Sequence, residues 1–223
     1  MSREPSLRTN LRYIPAVAME LEALWGIPDG AAGIVLFAHG SGSSRHSPRN
    51  SFVAGALQGA GIATVLLDLL TEREAADRTN VFDVALLAER LCAATDWVRQ
   101  QAETRQLRVG YFGASTGAAA ALIAAARDAS VAAIVSRGGR PDLADAALWH
   151  VRAPTLLIVG GNDHVVFRLN EEAYARLRCE KAMRIVPGAS HLFEEPGTLD
   201  EVARLATEWY GRYLGEGDER RMT

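Results

Sequence analysis

The segment GASTG at 113–117 follows the apolar run 109–112 and opens the alanine-rich stretch 118–126. A serine flanked by glycines where a strand turns sharply into a helix sits in a strained bend, its hydroxyl exposed, and the glycines admit backbone where a Cβ would clash. The positive end of the helix dipole favours negative charge beside it. Such a placement suits nucleophilic attack by Ser115 on a carbonyl carbon; the plainer alternative is a helix-capping serine between two chance glycines. A serine hydroxyl is a poor nucleophile at neutral pH, so a base must take its proton and a third group must fix the base's tautomer.

Candidates for both stand just beyond later apolar runs. Asp163 closes GND at 161–163 after the run 155–160, and His191 closes PGASH at 187–191 after the run 182–186. Their rivals read differently: His39 begins the loop after the run 34–38 and suits a loop-holding hydrogen bond, while His46, His150 and His164 have no comparable placement. Asp68, which also follows a strand, and Asp142 compete with Asp163, whose own alternative is a turn residue capping the next segment. An oxyanion formed on attack needs preorganised N–H donors. We assign the backbone N–H of Thr116, the residue after the nucleophile, and that of Ser41 in HGSGS at 39–43; a flexible turn or an anion nest are the competing readings of that loop. No G-x-x-x-x-G-K-[ST] or G-x-G-x-x-G occurs, which weakens a phosphate-loop reading.

Basic residues cluster in two loops that leave strand C-termini, with Arg45, His46 and Arg49 in one and Arg137 and Arg140 in the other. Planar guanidinium donors suit carboxylates and phosphates, so Arg45, His46 and Arg137 are expected to border the crevice and to bind an anionic group on the substrate. The alternative is a pair of arginines held by Asp142, Glu194 or Glu195.

The elements that must position these residues are legible as alternation. Short runs rich in Val, Ile and Leu at 34–38, 63–67, 107–112, 131–136, 155–160 and 182–186 read as strands buried on both faces. Between them, helical spacing appears at 51–60, 82–104, 115–127, 168–178 and 198–214. Residues 16–25 alternate Val17, Met19 and Leu21 against Ala18, Glu20 and Glu22, which predicts an edge strand with one wet face. The expected fold is α/β, a mostly parallel doubly wound sheet of about seven strands with helices on both faces. Only about eighteen residues separate the strands ending near 136 and beginning at 155, so no cap domain is expected, and the crevice should be open. Residues 1–15 read as a lead-in, 16–214 as one domain and 215–223 as a flexible tail.

Composition bounds the rest. With 48% hydrophobic and 23% charged residues, the 223-residue chain can bury a sizeable core. A formal net charge of -3 gives no electrostatic case for nucleic acid or an anionic membrane as partner, which leaves small molecules as the expected ligand class. Two cysteines, Cys92 and Cys179, sit in helical segments and suggest neither a metal site nor a disulfide framework. No secretory leader or membrane span is visible, so a cytoplasmic location is expected. No cofactor or metal is called for, and the oligomeric state is left open.

From about residue 33 to 214 the chain resembles the dienelactone hydrolase branch of the α/β-hydrolase superfamily, in a group whose members can be fused to a phosphoribosyltransferase domain. The stretches that carry the likeness are FAHGSGSSRHSPRN, GYFGASTGAAAAL, VSRGGRPDL, PTLLIVGGNDHVV and VPGASHLFEEPG. The chain order Ser115, Asp163, His191 is the order in which that superfamily supplies a triad. The resemblance implies a metal-free hydrolase working through an acyl-enzyme. Dienelactone hydrolases proper carry a cysteine where this chain has Ser115, and a glutamate after the strand matching 34–38, where this loop has no acid; the resemblance therefore implies the reaction class rather than dienelactone as substrate. The expected activity is hydrolysis of a carboxylic ester or lactone. Acyl transfer to an acceptor such as peroxide or an alcohol, or a non-catalytic binding role on the same scaffold, are the alternatives.

Overall fold

Aliphatic runs covered on both faces become inner strands, because each alternate side chain finds a separate core. The computed structural model of the chain describes residues 9–16 and 19–215. Within it eight strands form one sheet: β1 (Asn10–Ala16), β2 (Met19–Gly26), β3 (Gly33–Ala38), β4 (Ala63–Leu67), β5 (Arg108–Ala114), β6 (Ala133–Arg137), β7 (Thr155–Gly160) and β8 (Lys181–Val186). Their spatial order is β1-β2-β4-β3-β5-β6-β7-β8. The pairs β1–β2 and β2–β4 are antiparallel and the others parallel. Strand β3 shows the two-core rule directly. Ile34, Leu36 and Ala38 enter the core under α4 (Val84–Gln100), α5 (Thr116–Arg127) and α6 (His164–Arg176), while Val35 and Phe37 enter the core under α1 (Pro48–Gly59) and α7 (Thr198–Leu214).

Two expectations are corrected at the sheet's edge. The strand read as the edge, β2, lies second, and residues 10–15, read as lead-in, form most of an outer strand, so the sheet has eight strands rather than about seven. In β1 only Ile14 and Ala16 are buried, too few to make an alternation visible, and Pro15 looks like a strand breaker. Proline is tolerated on an edge strand, where a ladder N–H is not needed on both sides. In β2 Leu21, Ala23 and Trp25 are buried as the alternation predicts, while Val17 and Ala18 lie outside the described residues, as does the expected tail from residue 216 on.

Helix starts shift by a few residues for reasons of capping. Helix α1 begins at Pro48, earlier than predicted, because the Ser47 side chain accepts from the Asn50 N–H at 3.3 Å and proline is at ease in the first turn. Helix α6 begins at His164, capped by Asp163. Two short helices absent from the sequence reading, α2 (Glu72–Ala75) and α3 (Arg78–Phe82), follow β4. The stretch between β6 and β7 is a 3-10 segment, Pro141–His150, packed on α5 and α6, and no separate cap domain is present among the described residues. No helix there is long and apolar enough to cross a membrane.

Candidate active site

Strand β5 runs into α5 through Ser115, whose backbone sits at φ 51°, ψ −122°. For a residue with a Cβ such a conformation costs on the order of 1–3 kcal/mol. The surroundings enforce it: a Cβ on Gly113 would overlap Ala118 in the first turn of α5, and one on Gly117 would overlap the carbonyl of Ala38 at the end of β3. Neither glycine can be replaced without moving backbone, so the bend at Ser115 is locked from both sides.

The other two members of the expected triad meet. His191 Nδ1 stands 2.7 Å from Asp163 Oδ2. A carboxylate can only accept, so Nδ1 carries the proton and Nε2 keeps its lone pair. Asp163 also accepts from the Val166 N–H through its other oxygen at 3.2 Å, which capping bond fixes the carboxylate at the start of α6. The Asp163 side chain is 14% exposed and that of His191 38%, so the base is reachable while its partner is shielded. His191 lines a crevice of about 250 Å³ together with Ser115, Ser41, Arg49, Asn50 and Arg137. Among the described residues the Ser115 hydroxyl has no hydrogen-bond partner, neither within its own helix nor at His191. In ligand-free enzymes this bond is often open and closes when substrate binds.

The loop that carries His191 has a support that sequence reasoning missed. Glu195 accepts the Ser190 N–H at 3.0 Å, and the hydrogen bonds from Ser190 hold its carboxyl below the usual carboxylate range. The rival histidine has the structural role set against it. His39 donates from Nδ1 to the Gly40 carbonyl at 3.0 Å and accepts the Leu69 N–H at Nε2 at 3.3 Å, and burial lowers its pKa.

The two backbone donors assigned to an oxyanion differ in their present partners. The Thr116 N–H lies in the first turn of α5, where no carbonyl of its own helix can accept it. The Ser41 N–H donates to Thr116 Oγ1 at 3.0 Å. A β-hydroxyl directly after the nucleophile is long enough to reach the facing loop, a contact that spacing along the chain does not reveal.

Of the three residues expected to bind substrate, one borders the crevice. Arg45 turns away from it: its guanidinium pairs with Asp68 on one side and Glu22 on the other, and its backbone N–H donates to Asp68 at 2.6 Å. The acids that hold it lie on β2 and after β4, not among Asp142, Glu194 and Glu195. Two of those acids serve other arginines, Asp142 binding Arg140 through both oxygens and Glu194 binding Arg49 at 3.1 Å, and Glu195 holds Ser190. His46 is exposed and is not among the residues lining the crevice. Arg137 is there, 6% exposed, with Asn50 Oδ1 at 3.4 Å and the Phe193 ring 5.9 Å from its guanidinium carbon. Asn50 was missed, although a buried asparagine in the apolar face of a helix is a signal of a polar partner. Among the described residues no group of three or more His, Cys, Asp or Glu could hold a metal ion.

The mostly parallel eight-stranded sheet with helices on both faces has the α/β-hydrolase fold. The dienelactone hydrolase family model matches residues 24–213, and the chain belongs to that family. It is similar to the crystal structure of a dienelactone hydrolase from Anabaena variabilis, with 54% identity and a TM-score of 0.91 over 95% of this chain and 100% of that one. Est1E from Butyrivibrio proteoclasticus shares the fold at 14% identity, with a TM-score of 0.75 over 89% of this chain and 96% of that one. Two Mycobacterium tuberculosis proteins provisionally named phosphoribosyl transferases are 55% identical over 212 residues, which is 95% of this chain and 48% of theirs. The chain thus spans about half the length of the curated relatives it matches.

Proposed function

We propose that the chain is a serine hydrolase that cleaves a carboxylic ester or lactone through an acyl-enzyme. The observation that carries this reading is the 2.7 Å bond between His191 and Asp163, with the imidazole opening into the same crevice as a hydroxyl on a strained bend. Ser115 Oγ attacks the carbonyl carbon while His191 Nε2 takes its proton; His191 then gives that proton to the departing oxygen as the ester bond breaks. Water repeats the sequence on the acyl-enzyme and restores Ser115. Asp163 holds the imidazole in the tautomer that accepts at Nε2. The oxyanion is met by the Thr116 N–H, and by the Ser41 N–H once it exchanges the Thr116 hydroxyl for the substrate oxygen. Arg137 receives an anionic group on the substrate.

The test is intact-mass measurement after treatment with a fluorophosphonate, beside turnover of activated esters, for the native chain and Ser115→Ala. A single adduct and turnover that both vanish in Ser115→Ala are expected. An adduct or turnover that survives the substitution would overturn the assignment.

A further inference from the structure

Across the oxyanion loop from His191 lies a second cavity of about 150 Å³ that the mechanism above leaves unused. It shares Gly40, Ser41 and Ser43 with the crevice of Ser115 and His191, and neither of those two residues lines it. Its far wall is apolar: Leu70 after β4, Val81 on α3 and Leu87 on α4, with Leu70 and Leu87 buried and Val81 half-buried. The two short helices after β4 contribute Glu72, Ala75 and Val81 to its lining.

We propose that this cavity is the acyl subsite, that it takes a short uncharged aliphatic chain, and that Val81 and Leu70 limit its length. The inference rests on the Ser115 reading and names the substrate class for it. The bond that breaks joins the carbonyl carbon to the leaving oxygen, and that oxygen takes its proton from His191. The alcohol half must therefore depart on the side of His191, where Leu192, Arg49 and Arg137 lie. The carbonyl oxygen is turned toward Thr116 and the loop at Ser41, which leaves the acyl chain directed away from His191 and across Ser41, into the second cavity. Charge sorts the two halves the same way. The acyl cavity carries the Glu72 carboxylate beside an Asp68 already paired with Arg45 and a His39 whose pKa burial lowers, whereas the crevice carries the unpaired guanidinium of Arg137 beside an Arg49 held by Glu194. An anionic group belongs on the alcohol half.

Size sets the limit. With each methylene taken as about the size of a water, on the order of 30 Å³, the cavity of about 150 Å³ has room for roughly four to six carbons. Each buried methylene contributes about fourfold to kcat/KM until that room is filled. The unmodified chain is expected to prefer hexanoyl over acetyl 4-nitrophenyl esters and to lose ground at octanoyl and decanoyl.

The experiment compares that chain-length profile in the native chain, Val81→Trp and Val81→Ala, with fluorophosphonate labelling of Ser115 measured on each. Val81→Trp should lower the hexanoyl-to-acetyl ratio about tenfold or more, and Val81→Ala should move the optimum to longer chains. One profile common to all three proteins, with Ser115 labelled and acetyl ester turned over, would overturn the acyl subsite and leave the serine hydrolase standing. If no protein is labelled and no ester is turned over, the Ser115 reading fails and takes the subsite with it.

Discussion

The guanidinium of Arg137 reaches Asn50 Oδ1 at 3.4 Å, and this is the only side-chain hydrogen bond that the buried cation makes among the described residues. Its Nε has no partner, no carboxylate there pairs with it, and Arg49 adds like charge nearby. Burial, with Arg49 as the lesser cause, brings its pKa down to about 10. Taking a charge out of water without a counter-ion is costly, and a substrate that carries an anion supplies what the fold does not.

Replacing Arg137 by Met should therefore separate binding from stability. The ratio of turnover between 4-acetoxybenzoate and its methyl ester should fall about tenfold or more, since hydrogen bonds to charged groups contribute about 1.5–3 kcal/mol. The melting temperature should hold or rise, because an apolar side chain replaces an unpaired buried cation. Steady-state kinetics on the two esters and a thermal melt check both; an unchanged ratio would leave Arg137 without a role toward substrate.

Asp163 has two tasks that chemistry can split. Asparagine still accepts the Val166 N–H and caps α6, but offers His191 an amide that can hold the wrong tautomer. Asp163→Asn is expected to lower kcat on the order of a thousandfold or more with little change in unfolding free energy. Asp163→Ala should lose the cap as well, at a cost of about 1 kcal/mol in urea unfolding. If both variants keep the native activity and the native stability, the carboxylate serves neither task.

The parts of the fold and site that were legible in sequence share one property: their signal is local. The inner strands show as aliphatic runs because both faces are covered, and the bend at Ser115 shows because Gly113, Ser115 and Gly117 are each required within five residues. What was hidden depends on contacts between distant segments. Arg45 and Arg137 look alike in sequence, each at or after the end of an apolar run, and only the approach of Glu22 and Asp68 to one of them decides which faces the crevice. Strand β1 was hidden because Pro15 and a single buried pair, Ile14 and Ala16, give no period to read. The helices α2 and α3 are too short for helical spacing to register, although Thr71 and Glu74 form a capping box that marks the start of the first.

Two glycines of unlike surroundings should respond to alanine in opposite directions. A methyl on Gly117 would overlap the Ala38 carbonyl, so Gly117→Ala must push α5 away from the oxyanion loop, costing about 1–3 kcal/mol and most of the activity. Gly211 lies within α7 with nothing near the position its Cβ would take. Gly211→Ala should raise stability by about 0.5–1 kcal/mol through helix propensity and leave turnover as it is. Denaturant unfolding and ester turnover on both variants check the pair; a harmless Gly117→Ala would mean that the close approach of β3 to α5 is not required.

His39 should make the molecule lose stability on the acid side. Its Nε2 accepts the Leu69 N–H, so protonation would set a donor against a donor in a buried site. Burial lowers its pKa from the ordinary value of 6.5, against the raising influence of its bond to Gly40 and of Asp68 nearby. Below pH 6.5 the unfolded chain then takes up a proton that the folded chain refuses, and stability falls as pH falls, by at most about 1.4 kcal/mol per pH unit for one proton. His39→Gln retains an acceptor for Leu69 without the titration. Urea unfolding at pH 7.5, 6.5 and 5.5 should show a steeper acid-side loss in the native chain than in the variant. Parallel curves would mean that His39 binds its proton equally in both states, and that the neutral imidazole is not what holds the oxyanion loop to the strand beside it.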